Sequence, residues 1–76
     1  MVNVNKLRGR IVESEMTVSD LADKIGINRA SLYRKLDNSD SFTLREADAI
    51  ASALSLSRED AVAIFFSQYV ADMRNG

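Results

Sequence analysis

Apolar residues return at helical spacing in five stretches of this chain, with short polar breaks between them. Val4, Leu7 and Ile11 stand about one turn apart and Val12 widens their stripe, which predicts a first helix from about Val4 to Glu15. Gly9 interrupts it, at a cost of about 1 kcal/mol relative to alanine, and Met16 packs at the joint that follows. Leu21, Ala22 and Ile25 share one face of a second helix, and Leu32 and Leu36 mark a third, from Asn28 to about Asp37. Leu44, Ala47, Ile50, Ala51 and Leu54 give a fourth its buried stripe. The fifth is predicted from about Arg58 to Met73, with Val62, Phe65, Phe66, Tyr69, Val70 and Met73 on one face and Ala61 and Ile64 beside it. That arc is wider than the roughly 100° that packing on one small core requires, so it predicts a second apolar surface.

The breaks carry capping chemistry. Thr17 with Asp20, Thr43 with Glu46 and Ser57 with Asp60 each place a side-chain oxygen before a helix and a carboxylate three residues on. Gly26 stands where the second helix must end in the left-handed conformation, Ile27 resumes the apolar pattern, and Asn28 caps the third helix. Asp37 to Phe42 is expected to be a loop of short polar residues, with Phe42 plugging the core. With no proline and three glycines, the chain is predicted to be all-α: a compact bundle of five short helices forming one domain over residues 1–76.

At 76 residues with 46% hydrophobic composition, there is enough apolar surface for one core. Cysteine and histidine are both absent, which removes disulfides, the usual zinc sites, thiol nucleophiles and imidazole acid–base schemes. No serine or carboxylate sits in a glycine-rich elbow or phosphate loop. The expectation is a non-enzyme with no metal, no cofactor and no small-molecule ligand. No run approaches a membrane span and no signal peptide is evident, so a cytoplasmic location is expected. The net charge of −1 hides an asymmetry: residues 1–36 hold seven basic and four acidic side chains, and residues 37–76 hold three basic and seven acidic. A basic N-terminal half can present a positive face to phosphate. Pairs along a helix, such as Asp20 with Lys24, can also absorb part of that charge.

The stretch Thr17 to Leu36, TVSDLADKIGINRASLYRKL, is two short helices joined at Gly26, with small Ala22 where the helices must approach closely. Leu21-Ala22, two residues, Ile25-Gly26-Ile27 and then Leu32 resembles the helix-turn-helix of Cro-like and lambda-repressor-like regulators, the Xre family. The pattern departs from the family at Lys35, where an apolar residue is usual and Leu36 takes up the packing. The terminal Phe65-Phe66 and Tyr69-Val70 pairs look like a phage-encoded, Cro-like branch. The resemblance implies the lambda-repressor-like fold and a sequence-specific regulator that binds a double-stranded DNA operator.

It further implies that the helix from Asn28 to Asp37 enters the major groove, with Arg29, Ala30, Tyr33 and Arg34 as base-contacting candidates. Thr17, Asn28, Ser31 and Lys35 are the phosphate candidates. Lys6, Arg8 and Arg10 are expected to be mostly a solvated face, with one or two able to reach the DNA backbone. A homodimer, at least on DNA, is expected through Ala61, Ile64, Phe65 and Tyr69. The rival reading is a protein-binding module, an antitoxin or adaptor that docks its partner on the fifth helix and keeps the helix-turn-helix as scaffold.

Overall fold

A computed structural model describes residues 2–38 and 42–66. These form five helices and no strand: α1 (Val4–Glu13), α2 (Val18–Ile25), α3 (Arg29–Asn38), α4 (Leu44–Ala53) and α5 (Arg58–Phe65). The all-α bundle of five short helices expected from the sequence is what the described residues adopt. α2 packs against both α3 and α4, α5 joins α1 to α4, and the Asn3 amide donates to the Ile64 carbonyl at 2.7 Å.

The helix starts follow the caps. Thr17 Oγ1 accepts the Asp20 amide while Asp20 accepts the Thr17 amide, both at 3.0 Å, and Thr43 with Glu46 repeats the reciprocal box. Ser57 accepts the Asp60 amide, and Asn3, which the sequence reading passed over, caps α1 by accepting the Lys6 amide.

The helix ends reveal a shared device. After α1, α2 and α4 one residue takes positive φ: Glu15 at 58°, Gly26 at 74° and Ser55 at 53°. The next residue, Met16, Ile27 or Leu56, donates its amide five positions back in a Schellman arrangement, to the Ile11, Ala22 and Ala51 carbonyls respectively. These three apolar residues pack on the core edge. Only the Gly26 stop was visible in the sequence. α1 accordingly stops at Glu13, two residues before the expected Glu15.

Leu7, Leu21, Ala22, Leu32, Ile50 and Ile64 are fully buried, and Ile11, Leu36, Leu54 and Phe65 nearly so. Each buried Leu or Ile contributes about 1.5–3 kcal/mol relative to leaving it exposed. Phe42 plugs the core as expected, edge-on to Phe65 with ring centres 5.7 Å apart. Two stripe assignments need correction: Val12 is 73% exposed and Leu44 74% exposed. Each lies at the margin of its stripe, beyond the reach of the neighbouring helix. α3 also runs to Asn38, one residue past its expected end at about Asp37 and into the stretch expected to be a loop. The expected course of α5 from residue 67 to Met73 lies outside the described residues.

Candidate nucleic-acid interface

With Leu32 and Leu36 turned into the core, helical geometry sends Ala30, Tyr33 and Arg34 outward, and all three are exposed. The Tyr33 hydroxyl lies 3.4 Å from Ser19 Oγ, which tethers the outer face of α3 to the first turn of α2. Among the described residues Arg34 makes no ion pair, so its guanidinium stays available to a ligand.

Arg29, at the first position of α3, is held differently. Its Nε donates to Asp23 Oδ1 at 3.1 Å and its Nη2 donates to Asp23 Oδ2, a two-pronged grip across the turn of the motif. The hydrogen bond from Arg29 holds the Asp23 carboxyl below its ordinary range, and Asp23 in turn raises Arg29 above its own. Asp20, accepting the Thr17 amide and close to the same cluster, is also lowered, chiefly by that backbone hydrogen bond.

The phosphate candidates divide. Thr17 and Asn28 spend their side-chain oxygens as caps, Asn28 accepting the Ser31 amide at 3.1 Å. Their helix N-termini still offer first-turn amides without intrahelical partners. Lys35 is held within the fold. Its ammonium sits 3.2 Å from Glu46 Oε1 and 5.5 Å from the Phe42 ring centre, with the side chain four-fifths buried against α4 and the core edge. Its direction is set by the angular position of residue 35, on the flank of α3 that faces α4. Lys35 thus has partners within the fold, in Glu46 and Phe42.

The charge pattern also changes on folding. In sequence, no acidic residue stands between Arg29 and Lys35; in space Asp23 meets Arg29 and Glu46 meets Lys35. Arg8 of α1 pairs with Asp37 at the end of α3 at 2.8 Å, and Arg10 lies 3.5 Å from both Glu13 and Asp60. Arg8 and Arg10 therefore act as ties between elements, and of the three α1 cations only Lys6 makes no ion pair among the described residues.

The four residues expected at a dimer surface fall in different places. Ile64 and Phe65 are core residues, buried within one chain, and Tyr69 lies outside the described residues. Ala61 remains partly exposed, on a shallow apolar groove with Leu44, Ala47, Ala51 and Phe66 between α4 and α5. The sequence reading missed Asp23 and Ser19 as partners of Arg29 and Tyr33. Their signal was weak: Asp23 is six residues from Arg29 and Ser19 fourteen from Tyr33, and both separations cross the glycine turn, where the helical repeat is broken.

A family model for the Cro/C1-type helix-turn-helix DNA-binding domain matches residues 6–65, a span that takes in part or all of each described helix. No curated protein and no solved structure gives a significant match.

Proposed function

Because the chain belongs to the Cro/C1-type helix-turn-helix DNA-binding family, we propose that it is a sequence-specific transcriptional regulator of the phage or prophage type that lays α3 in the major groove of its operator. The observation that carries this reading is the outer face of α3: Arg34 without an acidic partner among the described residues, beside exposed Ala30 and Tyr33, on a helix anchored by buried Leu32 and Leu36. A guanidinium there suits guanine O6 and N7, and the Ala30 methyl suits the methyl group of thymine. First-turn amides of α2 and α3 take phosphates and set the register. Selection of bound duplexes from random DNA tests this directly; retention of no duplex at low salt refutes it.

Two copies on one operator would set their α3 helices one turn of DNA apart, about 34 Å. The groove of Leu44, Ala61 and Phe66 is the surface we assign to that pairing. The same groove supports the second reading, a protein-binding antitoxin or adaptor. Loss of binding with rising salt favours DNA, since phosphate contacts release counterions. Stoichiometric co-purification of another polypeptide favours the adaptor.

A further inference from the structure

Asp23 and Arg29 come from different helices and meet side-on across the Gly26 turn. We propose that Asp23 is a positioning residue that orients Arg29 toward a guanine, and so sets the preference at one base of each half-site. The inference rests on the reading of α3 as the base-contacting helix.

A guanidinium carries five N–H donors in one plane. Asp23 takes the side-on pair, one hydrogen on Nε and one on Nη2. The end-on pair, one hydrogen each on Nη1 and Nη2, is left on the adjoining edge of the same plane. That edge is a complete fork for O6 and N7 of guanine. An arginine already fixed at Nε has fewer rotamers to lose when it reaches the base, which favours the one geometry the fork allows. Both side chains are more than half exposed, 59% and 57%, so the pair adds little to the stability of the fold. Its consequence is orientation.

The carboxylate also has an unfavourable effect on binding. A negative charge beside the phosphates weakens attraction to every duplex alike. Removing Asp23 therefore acts in two opposite directions, raising general affinity while lowering discrimination. A role confined to folding, or to charge alone, does not produce that pair of effects.

The experiment starts from the duplex selected by the parent protein and compares the four bases at the position that Arg29→Ala relaxes. Asp23→Ala is expected to lose at least about fivefold in preference for guanine at that position, the lower end of what a bidentate arginine–guanine pair supplies. Binding to duplexes lacking that guanine should hold or tighten. In an Arg29→Ala background, Asp23→Ala should change no preference at all. Thermal melts matching the parent exclude a folding defect. Undiminished preference in Asp23→Ala overturns the inference, as does equal loss at every base, or an Arg29 position that prefers a base other than guanine. A parent protein without preference at any base overturns the base-contacting reading itself, which shows before any substitution is made.

Discussion

Lys35 Nζ lies 3.2 Å from Glu46 Oε1, and the same carboxylate oxygen accepts the Thr43 amide at 2.8 Å. One atom thus ties the C-terminal half of α3 to the cap of α4. Burial alone would raise the Glu46 pKa, but the Thr43 amide and Lys35 more than offset it and hold the carboxyl below its ordinary range. A carboxylate depressed on folding adds stability above its unfolded pKa, and that contribution is lost as pH falls through the folded value. Thermal melts should be level near neutrality and fall as acid protonates the carboxylates, and Glu46→Gln should flatten part of that fall while costing about 0.5–1 kcal/mol at neutral pH. Asp20 and Asp23, lowered in the same direction, supply the remainder.

The division between Arg34 and Lys35 can be read in DNA binding. Arg34→Ala should lose about 1–3 kcal/mol on the selected operator, with relaxed preference at one base. Lys35→Met should leave base preference and the salt dependence of binding as in the parent, because its ammonium already belongs to Glu46 and Phe42. A shallower salt slope in Lys35→Met would return Lys35 to the phosphate contacts.

At Gly26 a Cβ would meet no atom within 4 Å, so the constraint is conformational: φ is +74°. Gly26→Ala should cost about 1–2 kcal/mol, Gly26→Val more, and Gly26→Asn least. Ala22, fully buried where α2 meets its neighbours, tests the packing instead. Ala22→Leu should cost about 1–3 kcal/mol by overpacking. Denaturant midpoints decide both.

Glu15 and Ser55 occupy the same left-handed position as Gly26 without being glycine. Glu15→Gly and Ser55→Gly should each stabilise by up to about 1 kcal/mol, the relief of side-chain strain exceeding the added chain entropy. A fall in Tm for both would show that the strain at these stops is negligible.

Gly9 is the converse case. It lies exposed within α1, and a Cβ there meets nothing within 4 Å. Gly9→Ala should raise stability by about 1 kcal/mol through helix propensity alone, measurable as a higher melting temperature with DNA binding intact.

Interactions local in sequence were legible before the fold was known. The Thr17–Asp20 and Thr43–Glu46 boxes, the Gly26 stop and the stripe through Leu7, Ile11, Leu21, Leu32, Leu36 and Ile50 depend on spacings of three or four residues, which a helix converts directly into neighbours. The outward placement of Ala30, Tyr33 and Arg34 follows from the same periodicity once Leu32 and Leu36 are buried. Tertiary structure decided what periodicity leaves open. Whether a stripe's margin is covered depends on how neighbouring helices cross, which exposed Val12 and Leu44 and buried Ile64 and Phe65. Charge partners depend on the same crossings: Asp23 reaches Arg29 over a turn, Arg8 reaches Asp37 from α1, and Glu46 draws Lys35 away from solvent. A helical sequence states which side chains share a face, while the angle between helices decides which faces meet.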